Sequence, residues 1–407
     1  MLLLSSLMIA RVLGVEVYGE YGIIRSTVNM FAVFAGFGLG LTATKHISEF
    51  RISDPIRAGR IMTLTNLFAL VTGGMVASGI YIAAPWIAAE TINAPHLFLE
   101  LRICAIILFL SALNGAQTGA LAGFEAFKSI ARVNLCVGLA SFPLLVTGAF
   151  WAGLRGAILA LATTIAINCW LNHRALCIES LRCGVPLFVK DCLIEWPILW
   201  KYSLPAAASG VMVGPVFWAC NAILVNQPNG YKEMGIFDVA NQWRMAILFV
   251  PGMVAQIALP MLSSLNSLDD QVRYRKVLKW NVLINGGVAL AISVPVLLLS
   301  PWIMASYGKG FEGGVGVIVV LILSSVPMAI TTVIGKGIAS KGRMWMGLFL
   351  NLAWAMVLFS LCWIFIHKGY GALGLALGNI FAYSFHILWQ TFYLRKLLKP
   401  HHVLSKY

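Results

Sequence analysis

The sequence predicts an all-α polytopic membrane protein of about twelve transmembrane helices, the first truncated, in two six-helix pseudo-repeat lobes. Three observations carry this. Hydrophobic residues make up 60% of the 407 and charged residues only 11%, with a mean hydropathy of +0.86, far outside the soluble range. The apolar runs are continuous rather than alternating, which argues against a transmembrane β-barrel. The 29 Lys and Arg outnumber 15 Asp and Glu and gather in alternate loops, so membrane topology explains them and nucleic acid does not.

In order, the chain opens with MLLLSSLMIA, which reaches Arg11 after about half a membrane crossing. It lacks the basic n-region and cleavage site of a signal peptide. It reads as a first helix cut short by a start placed too late. Further spans follow at 21–44, 61–84, 97–121, 130–151, 154–175, 203–225, 234–263, 280–304, 314–337, 344–366 and 371–394. The longest connection, 176–202, is read as a soluble cytoplasmic linker between a lobe at 1–175 and a lobe at 203–394. A cytoplasmic tail covers 395–407.

Charge fixes the orientation. Opposite loops hold only Arg11, Arg155, Lys232, Lys309 and Lys368, whereas the other loops and the tail hold twenty-one cations. With an even helix count this places both termini in the cytoplasm. The halves also match at nearly one offset: Glu20-Tyr21-Gly22-Ile23 with Glu233-Met234-Gly235-Ile236, Asn134-Leu135 with Asn351-Leu352, and Gly156-Ala157 with Gly371-Ala372. An offset of six helices makes the repeats parallel, related by an axis along the membrane normal.

Charged and polar residues inside the spans are the candidate site. The stretch from Glu20 to Phe50 carries Arg25 and, one turn on, Asn29, and ends in Lys45, His46 and a basic loop. The eighth span holds Asp238, Asn241, Gln242, Arg244 and Gln256, which fall within an arc of about 160° at 100° per residue. Arg102 begins the fourth span. Together these are expected to line a cationic cavity between the lobes, because a charge at mid-membrane is costly and normally faces the protein interior. Arginine suits a diphosphate through its planar, two-pronged donor set.

Each has a structural alternative. Arg25 and Arg102 lie near span ends, where they can snorkel or pair with Glu20 or Glu100. Asp238 can partner Arg244, or take up H⁺ or Na⁺ during transport. The amides can simply bridge helices. Gly36, Gly38, Gly40, Pro251 and Pro260 permit close packing or kinks, and Trp86, Trp302 and Trp345 read as interface anchors. The eight cysteines are scattered without a C-x-x-C pair, so no metal site or disulfide framework is expected.

At Ala10-Arg11-Val12-Leu13-Gly14, followed by Tyr18-Gly19-Glu20-Tyr21-Gly22, the chain resembles the Wzx-type O-antigen flippases. The TKxISE run within Gly40–Glu49 and the GxEAFK loop at Gly123–Lys128 fit as well. These flippases form the polysaccharide-transporter branch of the superfamily that holds the multidrug exporters and the lipid II flippase. The resemblance implies flipping of undecaprenyl-diphosphate-linked oligosaccharide across the inner membrane of a bacterium for lipopolysaccharide. It further implies alternating access, ion coupling without a cofactor, and a polysaccharide polymerase and chain-length regulator as partners. Family members use cationic lumen residues, and Arg25 and Arg244 are the candidates for that role here.

Two other readings stand beside this one. A drug or cation exporter of the same superfamily would put carboxylates in the cavity, yet Asp238 is the sole acidic residue well inside a span. A membrane polymerase or ligase would need a sizeable extracytoplasmic loop with catalytic groups, and none is evident. No enzyme activity is expected.

Overall fold

The computed structural model describes residues 2–204, 211–267 and 270–398, and no strand occurs among them. The chain is an all-α polytopic membrane protein. Backbone amides in hydrocarbon have no water to bond, so each span must close its own hydrogen-bond ladder. The helices are α1 (Leu2–Gly36), α2 (Leu39–Phe50), α3 (Pro55–Trp86), α4 (Phe98–Gly123), α5 (Phe127–Cys183), α6 (Val213–Val225), α7 (Gly230–Ser267), α8 (Gln271–Leu298), α9 (Ser300–Ser306), α10 (Val315–Ser340), α11 (Met344–Phe365) and α12 (Gly371–Leu397).

Among the described residues, seven helical stretches are long and apolar enough to cross a membrane, or up to eight with α1 and α2 joined. Several are compound. The glycines near position 38 bend α1 from α2 by 42°, so the span predicted at 21–44 is broken, the kink rather than the straight packed helix of the two alternatives these glycines allowed. The 57 residues of α5 are two arms meeting at Ala152 and Gly153. The first arm of α1 ends at Gly14, whose φ of 76° and ψ of 169° interrupt the helix. In contrast, α7 runs on through Pro251, and the side chain of Pro260 lies outside the described residues.

Turns repeat more faithfully than sequence. Left-handed backbone occurs at Gly14 and Asn229, at Asn93 and Gly308, at Glu125 and Gly342, and at Gly153 and Gly369. The two members of each pair stand 215 to 217 positions apart. Helix starts repeat too. Asp54 caps α3 by accepting from Arg57 N at 3.0 Å, and Asp270 caps α8 by accepting from Arg273 N at 2.9 Å. An aspartate at this position satisfies a donor that the first helical turn leaves open. By this register the first arm of α1 corresponds to α6.

The chain packs as two compact units, Met1–Gly235 and Ile236–Tyr407. The division falls early in α7, later than the 176–202 connection that divides the chain by sequence. Two contacts explain this. Trp218 Nε1 donates to Thr27 Oγ1 and Asn221 Nδ2 to Ser26 Oγ, both at 2.9 Å, and they tie α6 to α1. The connection itself is docked: Val189 N donates to Thr63 Oγ1 at 3.1 Å, buried Glu195 pairs with Arg57 at 2.9 Å, and the hydroxyls of Thr42 and Ser203 lie 2.7 Å apart.

The first unit has a core at the ends of α2 to α5, including Ile47, Met62, Leu121 and Leu176. The second has one among α7, α8, α10 and α12, including Leu262, Tyr274, Val333 and Leu394. Trp86, Trp302 and Trp345 are 64%, 74% and 76% exposed, as interface anchors require.

Small residues let α2 and α4 cross closely. A Cβ at Gly40 would sit 2.9 Å from Gly115 O, and one at Gly119 would overlap the Gly40 backbone. Thr44 Oγ1 uses this closeness to donate to Gly119 O at 3.0 Å. Gly119→Ala should therefore destabilise the protein by about 1–3 kcal/mol through forced separation of α2 and α4. Gly138→Ala, where the added methyl has nothing within 4 Å, should not lower stability and should raise it by up to about 1 kcal/mol through better helix propensity. Thermal unfolding of the detergent-solubilised protein compares the two.

Candidate functional site

In the first unit, Thr27 and Ser26 turn towards α6 through the hydrogen bonds above, and Gly214 of α6 lies against Met30. That leaves Arg25 and Asn29 together on a neighbouring strip of α1. Arg25 is half-buried, its guanidinium carbon 5.6 Å from the Tyr21 ring centroid, and Asn29 is exposed. Arg102 sits elsewhere, between the rings of Tyr81 and Phe98 at 4.8 Å and 5.5 Å. Its buried Nε has no hydrogen-bond partner. The acidic partners considered from sequence are engaged differently: Glu20 meets His96 at 2.7 Å and Glu100 meets Arg155 at 2.9 Å.

In the second unit Arg244 is 0% exposed. Its guanidinium donates to amide oxygens: Nε and Nη2 to Asn241 Oδ1 at 3.1 Å and 2.6 Å, and Nη1 to Asn379 Oδ1 at 2.9 Å. Helical spacing sets this up, since Asn241 is one turn before Arg244 on α7, and Asn379 reaches across from α12. Asp238, also buried, accepts from Gln242 Nε2 at 2.9 Å. Gln256 is exposed, about three turns further along α7. The structure thus brings Asn241 to Arg244 and Gln242 to Asp238, and leaves Gln256 outside that cluster.

Sequence reading missed the other half of this cluster. On α12, Asn379, Tyr383, His386 and Gln390 are all buried. Their spacing of four, three and four residues puts them on one face. Trp354 of α11 packs there, 5.2 Å from the Tyr383 ring and 6.0 Å from His386. Neither ring nitrogen of His386 has a hydrogen-bond partner. The first unit has a related feature: Asn172 Nδ2 reaches Asn114 Oδ1 at 2.5 Å, Asn168 Oδ1 at 3.1 Å and Thr118 Oγ1 at 3.2 Å. Thr164 and Asn168 stand 215 positions before Asn379 and Tyr383, so the repeat-equivalent helices both carry a buried polar stripe. The i, i+4, i+7, i+11 pattern of neutral polar residues on α12 was the available signal, and a search for charges alone passes over it.

Chemically, each unit keeps amides inside an apolar bundle, where their oxygens can hold a cation or their N–H groups an anion. In the second unit the guanidinium of Arg244 is built into that set. Among the described residues there is no cluster of His, Cys, Asp and Glu suited to a metal ion.

A family model described as "Polysaccharide biosynthesis protein" matches residues 1–266. The chain belongs to this family. Among its relatives, the EPS I polysaccharide export inner membrane protein EpsE of Ralstonia nicotianae is 24% identical over 402 residues. The alignment covers 96% of this chain and 89% of the relative. The protein of the same name from Ralstonia solanacearum is 23% identical, with the same coverage. Among solved structures, an inward-facing multidrug resistance MATE family transporter of the MOP superfamily superposes with a TM-score of 0.80. It is 16% identical, over 98% of this chain and 95% of that one. A MOP superfamily transporter from Pyrococcus furiosus gives 0.61 at 15% identity, over 98% and 96%. The chain therefore shares the fold of these solved transporters.

Asn379→Leu should strip a buried guanidinium of one acceptor and cost about 1–3 kcal/mol or more. Combining it with Arg244→Met should recover part of the loss, because the unpaired charge is gone. A double-mutant cycle by thermal unfolding reads the coupling, and strict additivity would separate the two residues.

Proposed function

We propose that this protein translocates a polyprenyl-diphosphate-linked oligosaccharide repeat unit across the bacterial inner membrane for export as surface polysaccharide. One observation carries the reading: a chain belonging to a polysaccharide biosynthesis family shares the fold of solved MOP superfamily transporters. A machine of that fold moves cargo, and the family supplies the class of cargo. The curated relatives, named as export proteins of the inner membrane, support both the process and the location. Asymmetric loop charge supports cytoplasmic termini.

In this reading Arg25 and Asn29, accessible on α1, meet the diphosphate first. Arg244 is covered, so it reaches the substrate only when α7 parts from α12, which couples cation exposure to the transport step. Asp238, buried one turn before Gln242, is the residue proposed to carry the coupling H⁺ or Na⁺. Arg102 and Gln256 act at the periphery of the path. The polymerase and chain-length regulator act on the flipped product.

Deleting the gene should make lipid-linked repeat units accumulate on the cytoplasmic leaflet. Units that still reach the outer leaflet but remain unpolymerised would favour an enzyme instead. Arg244→Ala should abolish surface polymer at normal protein levels, while Arg244→Lys retains part of it. Normal polymer from the Ala variant would remove Arg244 from the mechanism.

A further inference from the structure

The two arms of α5 end side by side around a groove of about 1070 Å³. Ser129 Oγ of the first arm donates to Glu179 Oε1 of the second at 2.8 Å. Lys128, Arg132, Arg174 and Arg182 line the groove together with the apolar side chains of Phe127 and Ile178. Both of those apolar residues are exposed, at 64% and 63%. The carboxylates on the rim are already neutralised: Glu179 has Arg182 at 3.5 Å, and Glu125 has Arg51 at 2.7 Å. Arg174 lies over the Trp170 ring at 5.0 Å. Among the described residues, Lys128 and Arg132 make no ion pair, and they share one face at i, i+4 spacing.

Topology alone does not account for these cations. The internal repeat, with its offset of 215 to 217, places Trp345, Phe349 and Trp389 where the first half has Lys128, Arg132 and Arg174. At these three positions the second unit is aromatic and the first cationic, while the second unit's own cations, Arg343, Arg395 and Lys396, stand at neighbouring positions. The fold tolerates an apolar lining here, so the charge serves something specific to the first unit.

We propose that this groove binds the headgroup of an anionic phospholipid. Lys128, Arg132 and Arg174 meet the phosphate, while Phe127 and Ile178 receive the first acyl carbons. Basic pockets between helix ends at the membrane surface recognise such headgroups, and each nearby Lys or Arg strengthens binding. A soluble anion would make no use of two exposed apolar side chains beside the charge. The proposal concerns the resting protein and is independent of the transport reading.

Native mass spectrometry of the full chain in detergent tests it, titrating phosphatidylglycerol and phosphatidylcholine of matched acyl chains. Phosphatidylglycerol should bind in preference. The double variant Lys128→Gln/Arg132→Gln should weaken that binding by about tenfold or more. Lys276→Gln/Lys279→Gln, which removes two exposed cations elsewhere, should not. Arg174→Gln provides a second reading should the double variant fail to fold. Equal binding of the two lipids would overturn the proposal, as would equal loss in both double variants, which marks diffuse surface charge. Displacement of phosphatidylglycerol by inorganic phosphate or by undecaprenyl diphosphate at equal concentration would overturn it too.

Discussion

Inside a bilayer every polar group must find its partner within the protein, and this structure is shaped throughout by that demand. Aspartate caps are confined to helix starts beside basic loops, at Asp54 and Asp270. Threonines and serines within spans turn back onto their own helices, as Thr27 does to Ile23 O at 2.9 Å and Ser324 to Leu321 O at 2.6 Å. Arg244 is the severest case: a permanent cation with no exposed surface, held by the oxygens of Asn241 and Asn379. Neutral amides solvate such a charge without cancelling it.

The same demand explains how the duplicated halves have diverged. Each half keeps its breaks at equivalent places, because a helix that must leave the membrane needs a left-handed residue to turn. The residue supplying it is free to change, hence Asn93 against Gly308 and Glu125 against Gly342. Interior faces also keep a polar stripe on the same helix of each repeat, but with different chemistry: Asn168 and Asn172 in one, Asn379, Tyr383, His386 and Gln390 in the other. Shared architecture thus carries unlike polar chemistry on equivalent helices.

Much of the fold was legible from composition and apolar run lengths, since a span announces itself by its length. The spans at 61–84, 130–151, 154–175, 234–263 and 371–394 fall inside the observed helices. The break at Gly38 was legible only as one of two alternatives, because clustered glycines serve close packing as readily as a bend. The docking of 176–202 was hidden as well. Its charges look solvated until Arg57 is seen against Glu195, and only tertiary structure brings those two together. At the candidate site, Arg244 stood out as a charge deep in a span, yet its partner Asn379 did not. An asparagine in an apolar run has many bland roles, and nothing local links it to a residue 135 positions away. The backbone conformation, which no identity match reports, carries the repeat most clearly.

The central claim is that guanidinium groups are retained in an apolar bundle to meet a diphosphate. Binding of undecaprenyl diphosphate and of uncharged undecaprenol to the purified protein tests it most directly, in wild type and in Arg25→Gln and Arg244→Gln. The account predicts that each substitution weakens the diphosphate lipid by about tenfold, the worth of one charge-assisted hydrogen bond, and leaves undecaprenol unaffected. Undiminished binding of the diphosphate lipid by both variants would contradict it.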